Sequence, residues 1–221
     1  MKEPAATRQV ECWFDYSSPF AYLGTTQIER VAREHAARVT FRPFLLGALF
    51  QEIGTPLVPL EAFSEPKRRH ARLDLERWAD HWGVPFRFAS RFPLRTVTAL
   101  RVTLLVAAPE RPALVHAIMR ATWVDDRDPA DPEVLGGCLT SAGLDPSLVL
   151  RAAEAKQALF DATAEAVRLG APGAPSFVVG GRLFWGQDRL ELVGKALDGW
   201  RAGAESPRIG ELPSSGETQQ T

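Results

Sequence analysis

Residues 14–23 read Phe-Asp-Tyr-Ser-Ser-Pro-Phe-Ala-Tyr-Leu. At this point the hydrophobic period changes from that of a strand to that of a helix. Val10–Phe14 is a short apolar run suited to a buried strand. Ser18-Pro19 is a helix start: a hydroxyl stands at the N-cap, and proline at the first helical position lacks only an N–H that would have no partner there. Tyr22, Leu23, Ile28, Val31 and Ala32 carry the apolar stripe on to about His35. Val39–Pro43 then reads as a second strand. A helix of this length suits a parallel crossover, so the chain opens as β-α-β.

Working outward, the pattern is helical from about Ser64 to Leu169. It is punctuated by Gly83-Val84-Pro85, Ala108-Pro109, Asp131-Pro132 and Asp145-Pro146. Each X-Pro pair disfavours helix before it and suits a helix after it. Helices are predicted near Pro66–Trp82, Leu94–Ala107, Arg111–Val124, Pro132–Ser141, Pro146–Ala155 and Gln157–Arg168. Ser176–Val179 and Arg182–Trp185 then flank Gly180-Gly181, a two-residue hairpin turn, and a last helix is expected from about Asp188 to Trp200. The order βαβ, helical block, ββα resembles a thioredoxin-like α/β domain with an inserted all-helical subdomain. The expected boundaries are 10–60 and 170–200 for the thioredoxin-like part and 61–169 for the insertion. The tail, 201–221, is rich in Gly, Ser, Pro, Glu and Gln without periodicity and is expected to be disordered.

Composition limits the function classes. Among 221 residues, 26 Lys+Arg against 27 Asp+Glu leave a net charge of −1, and 45% are hydrophobic. That is enough apolar material for a core and no electrostatic footprint for nucleic acid. The two cysteines, Cys12 and Cys138, lie far apart and form neither a disulfide framework nor a metal knuckle, and His35, His70, His81 and His116 show no metal-ligand spacing. Met1–Gln9 holds no apolar h-region. Arg101 interrupts the best candidate for the roughly 18 apolar residues of a membrane span. The expectation is a soluble cytoplasmic protein with no membrane or nucleic-acid partner.

Three segments would meet in such a fold. At Ser18 a strand runs into a helix N-terminus, where free N–H groups and the helix dipole favour an anion. A hydroxyl there can donate to a thiolate and lower its pKa. Taken alone, Ser18 reads as an N-cap. In Gly173-Ala174-Pro175-Ser176-Phe177 a proline enters a strand. If it is cis, the preceding Ala174 exposes backbone groups that can pair with an extended peptide. In Trp185-Gly186-Gln187-Asp188-Arg189 a strand end passes into the last helix, whose N–H groups can hold a carboxylate while Asp188 accepts from an ammonium. Taken alone, Asp188 with Glu191 resembles a capping box.

Together, FDYSSPFAYL at 14–23, FRPFLLGALFQEIG at 41–54, KRRHARLDLERWA at 67–79, FPLRTVTALR at 92–101 and GAPSFVVGGRLFWGQDRL at 173–190 resemble the 2-hydroxychromene-2-carboxylate isomerases. These are relatives of kappa-class glutathione transferases and DsbA-type oxidoreductases. The resemblance runs from about Val10 to Trp200 and implies glutathione as the thiol. It places Ser18 where redox relatives carry the nucleophilic cysteine and Ala21 where they carry the resolving one, which removes disulfide exchange. It implies that Ser18 faces the glutathione sulfur, that Ala174 pairs with the cysteinyl backbone, and that Trp185, Gly186, Gln187 and Asp188 hold the γ-glutamyl end. The aromatic substrate would lie near Phe50, Gln51, Phe92 and Arg95.

The implied activity is glutathione-dependent cis-trans isomerisation of an aromatic-hydrocarbon catabolite by thiolate addition, bond rotation and elimination, in a homodimer. A kappa-type transferase or peroxidase and a non-catalytic thiol- or peptide-binding module are the alternatives. Gln51 stands where many relatives have lysine and Arg95 where many have asparagine. Pro172 replaces an aromatic residue, and Gln187 replaces asparagine or serine. The first two changes bear on the substrate more than on the thiol. Phe50 and Phe92 also suit a core, and the basic run Lys67–Arg72 suits a solvated face neutralised by Glu65, Asp74 and Glu76.

Overall fold

A computed structural model describes residues 8–201. Four strands, β1 (Arg8–Phe14), β2 (Ala37–Pro43), β3 (Ser176–Val179) and β4 (Arg182–Trp185), form one sheet in the order β2-β1-β3-β4. The helices are α1 (Pro19–Glu34), α2 (Leu46–Glu52), α3 (Pro59–Ala62), α4 (Glu65–His81), α5 (Val97–Leu105), α6 (Arg111–Trp123), α7 (Pro132–Ser141), α8 (Lys156–Arg168) and α9 (Leu190–Leu197). β1 runs parallel to β2, with Cys12 opposite Phe41, and antiparallel to β3, with Cys12 opposite Phe177. Gly180 and Gly181 both take positive φ, which the tight β3–β4 turn requires. The βαβ…ββα order and the helical stretch between β2 and β3 follow the layout read from the sequence.

The parallel crossover puts α1 across β1 and β2, and α9 packs on α1 and on β1 and β3. Trp13, Phe14, Tyr16, Phe41, Phe44 and Phe177 are fully buried where strand ends meet helices. Phe14 sets its edge to Tyr16 and to Phe41, with centroids 5.3 and 5.9 Å apart. Burial of each such ring stabilises the fold by about 1.5–3 kcal/mol. This locks the strand-to-helix turn that leads to Ser18.

Several local expectations are corrected. α2 and α3 carry no sequence cap signal: Leu45 and Val58 precede them without a side-chain cap bond. α5 begins at Val97 rather than Leu94, with Thr96 at its N-cap. Pro146–Ala155 is a 3₁₀ helix, with Asp145 capping its start. The last helix starts later and ends sooner than expected: a 3₁₀ turn spans Gln187–Arg189 and α9 ends at Leu197. Asp188 therefore makes no capping box and instead pairs with Arg189 at 2.6 Å. Apart from Arg201, the tail expected to be disordered lies outside the described residues.

Candidate active site

Ser18 caps α1, its Oγ accepting the Ala21 N–H at 3.1 Å. The same hydroxyl donates to the Ala174 carbonyl at 2.8 Å, and the residue is 4% exposed. The Ala174-Pro175 bond is cis. One turn into α1, Gly24 lies against Pro175, where a Cβ would stand 3.0 Å from the proline Cγ. Ser18 and Ala174 thus meet as the sequence expects, with the hydroxyl's proton resting on the carbonyl of the residue before the cis-proline.

The third segment joins them through the backbone. The Gly186 N–H donates to the Pro175 carbonyl at 2.9 Å. Gly186 has φ +105°, where L side chains are strained, and an added Cβ would meet the Asp188 carboxylate at 2.5 Å. Trp185 is 55% exposed, and its indole lies over Gly173. Gln187 is 5% exposed, and its side-chain amide forms no hydrogen bond with another described residue.

Sequence reasoning missed Asp15. This carboxylate is 1% exposed, and its Oδ1 accepts from the Ser17 N–H at 3.0 Å and the Thr96 hydroxyl at 2.7 Å. Its Oδ2 accepts from the Leu46 N–H at 2.8 Å. Burial pushes the carboxyl above its usual range, against these hydrogen bonds. One side chain thus ties the Ser18 loop to the first turn of α2, which carries Phe50 and Gln51, and to the start of α5 beside Arg95. The signal in the sequence is only an aspartate three positions before the cap; its partners lie 31 and 81 positions away.

The residues expected around the aromatic substrate are not all placed alike. Phe50 is buried in the core, and Gln51, the next residue of α2, is exposed. Phe92 is half-buried against Phe88, with centroids 5.1 Å apart. Arg95 is exposed and forms no ion pair with a described residue. Phe88 packs its edge on Trp123 at 5.8 Å, and the Trp123 indole N–H donates to the Tyr16 carbonyl at 2.9 Å, two positions before Ser18.

Cys12 and Cys138 are free and buried, and burial pushes both thiols up, away from reactive thiolate. Among the described residues no group of His, Cys, Asp and Glu is set to hold a metal ion. No described helix is long and apolar enough to cross a membrane.

A parallel crossover beside an antiparallel hairpin, with a cis-proline facing the first helix start, defines a thioredoxin-like protein with Ser18 at that helix start. The chain belongs to the DSBA-like thioredoxin domain family, whose profile matches residues 9–198. It is 28% identical over 190 residues to a 2-hydroxychromene-2-carboxylate isomerase of Sphingobium xenophagum, covering 85% of this chain and 96% of the relative. It is 27% identical over 206 residues to glutathione S-transferase kappa 2 of Caenorhabditis elegans, covering 85% and 91%. The fold superimposes on a solved 2-hydroxychromene-2-carboxylate isomerase with a TM-score of 0.77 at 22% identity, over 86% of this chain and 94% of the other. The resemblance read from the sequence is thereby matched in both sequence and fold.

Proposed function

We propose that the protein is a glutathione-dependent isomerase that converts 2-hydroxychromene-2-carboxylate, or a similar aromatic catabolite, to trans-o-hydroxybenzylidenepyruvate. The observation that carries this reading is the Ser18 hydroxyl at the start of α1, hydrogen-bonded to the residue before the cis-proline, with no cysteine at either redox position. Such a hydroxyl can donate to a thiolate and cannot form a disulfide.

Glutathione enters extended along Ala174, its cysteinyl N–H taking over the Ala174 carbonyl. Ser18 is then free to turn its proton to the sulfur. The helix N-terminus adds positive potential, so the thiolate persists near neutral pH. Trp185, the Gly186 turn, Gln187 and Asp188 hold the γ-glutamyl end, Asp188 accepting from its ammonium. The thiolate adds to the conjugated carbon of the ring-opened enone. The C–S bond forms as the double bond becomes single and its electrons move onto the carbonyl oxygen. Rotation follows, and collapse of the enolate expels the thiolate and restores the double bond in the trans form. Glutathione returns unchanged. Free, buried Cys12 and Cys138 suit a reducing cytoplasm.

A kappa-type transferase or peroxidase is the second reading, favoured by the similarity to the kappa transferase. The thiol titre during turnover separates the two. A constant glutathione concentration while 2-hydroxychromene-2-carboxylate disappears supports the isomerase, and stoichiometric loss of thiol overturns it in favour of the transferase.

A further inference from the structure

α4 carries Lys67, Arg68, Arg69 and Arg72, and the sequence reads them as a neutralised face. In space the neutralisation is partial. Glu65 reaches Arg68 only at 3.5 Å, and neither Asp74 nor Glu76 pairs with a described residue. Lys67 is spent on the Phe63 ring at 4.2 Å. Arg72 lies over the Phe88 ring at 4.9 Å and forms no ion pair or hydrogen bond with a described residue.

Two recesses open on this face. The larger, about 760 Å³, sets Arg68, Arg69 and Arg72 against Glu61, Glu65 and Glu76, so it offers no net charge. The smaller, about 350 Å³, sets Arg68 and Arg72 against Glu61 alone and is walled by Phe88 and Phe92. Its size is at the low end of cavities that hold small organic ligands, about 300–1,000 Å³. A guanidinium laid on a ring keeps its in-plane N–H donors free in a fixed fork, which matches a carboxylate two-for-two. Phe88 and Phe92, their centroids 5.1 Å and planes 62° apart, form the aromatic wall of this recess.

We propose that this recess binds a planar aromatic carboxylate, with Arg72 as the main carboxylate clamp, Arg68 beside it, and Phe88 and Phe92 as the ring wall. Arg95 lines neither recess. Identification of this ligand with the isomerase substrate rests on the reading above, and Trp123 is the physical link, touching Phe88 and holding the Tyr16 carbonyl beside the Ser18 loop.

The test is calorimetric titration of the full chain with trans-cinnamate, without glutathione, alongside cinnamamide and sulfate. Saturable cinnamate binding at least about tenfold tighter than that of either control is expected, since a charge-assisted pair contributes that much. Arg72→Met should weaken cinnamate about tenfold or more, Arg72→Lys should weaken it less, and Arg69→Gln, which touches only the larger recess, should leave it unchanged. Absence of saturable binding, equal binding of sulfate, or an unchanged affinity in a folded Arg72→Met protein overturns the site. Parallel glutathione titrations keep the two ideas apart. If cinnamate binds but the separate glutathione titration shows no binding, the proposed activity is overturned and this site stands; if glutathione binds but cinnamate does not, the site alone is overturned.

Discussion

The Ser18 hydroxyl and the Ala174 carbonyl, 156 positions apart in the chain, meet at 2.8 Å. A serine has one proton to give, and here it is given to the backbone of the residue before the cis-proline. The oxygen is also in use, accepting from Ala21. Both hydrogen-bonding roles of the hydroxyl are thus filled by the protein's own backbone, and a ligand that offers a donor to the Ala174 carbonyl compensates for turning the hydroxyl away. A peptide-like thiol has such a donor in its amide N–H. A simple thiol does not, and should be activated poorly.

Ser18→Ala removes both bonds. Loss of the N-cap should cost about 1–2 kcal/mol of stability. The bound glutathione thiol, titrated by its ultraviolet absorbance, should move back toward the ordinary thiol range near about 8.5, and turnover should fall by about 10²-fold. A bound thiol with an unchanged titration would remove Ser18 from the chemistry.

Asp15→Asn tests the clamp between the three site segments. An amide cannot accept at both ends, so at least one of the Ser17, Leu46 and Thr96 donors is left without a partner, at a cost of about 1–3 kcal/mol. The pH dependence has a definite sign. Burial raises the folded carboxyl's pKa, so the folded state holds the proton more tightly than the unfolded state does. The advantage of aspartate over asparagine should be greatest in acid and shrink as pH rises through the folded value. Thermal unfolding of both proteins across that range reads it directly, and a gap that widens with pH would contradict the assignment.

Much of this site is legible in the sequence because its signals are local. Ser18-Pro19 is a cap followed by a pre-set φ, and Asp131-Pro132 and Asp145-Pro146 start their helices the same way, each aspartate accepting an N–H two positions on. Gly180-Gly181 names its own turn. What stays hidden is non-local. The first N–H of α2 is capped by Asp15, so no residue beside Leu46 announces that helix. The proton of Ser18 goes to Ala174, which no spacing rule connects to it. The basic run on α4 looks neutral in sequence, yet Arg72 lies over the Phe88 ring and pairs with no described carboxylate.

Gly24→Ala addresses the contact between α1 and the cis-proline loop. Helix propensity alone favours alanine by about 1 kcal/mol. The added methyl, however, would stand 3.0 Å from the Pro175 Cγ and 3.2 Å from the Phe177 Cζ, overpacking that costs about 1–3 kcal/mol. Crowding should win: the melting temperature should fall, and glutathione affinity should fall with it as Ala174 is displaced from Ser18. A stabilised variant with full affinity would show that the contact is not tight.

Glu29 joins α1 to α6 by accepting from His116 Nε2 at 2.6 Å, and that hydrogen bond holds its carboxyl below the usual range. The pair is partly exposed, so Glu29→Gln should cost less than about 1 kcal/mol at neutral pH. A lowered folded pKa means that this stability is present above the ordinary glutamate range and lost as pH falls through the folded value. The difference between wild type and variant in chemical denaturation should therefore vanish in acid, and a difference that grows there would refute the assignment.

The central claim is that a thiolate held at Ser18 isomerises a conjugated aromatic acid without being consumed. The most direct test follows the ultraviolet spectrum of 2-hydroxychromene-2-carboxylate with wild type and Ser18→Ala, each with and without glutathione. The account predicts conversion to trans-o-hydroxybenzylidenepyruvate by wild type only when glutathione is present, at a rate about 10²-fold above that of Ser18→Ala. Conversion at the same rate without glutathione, or none in a wild-type protein that binds glutathione, would contradict it.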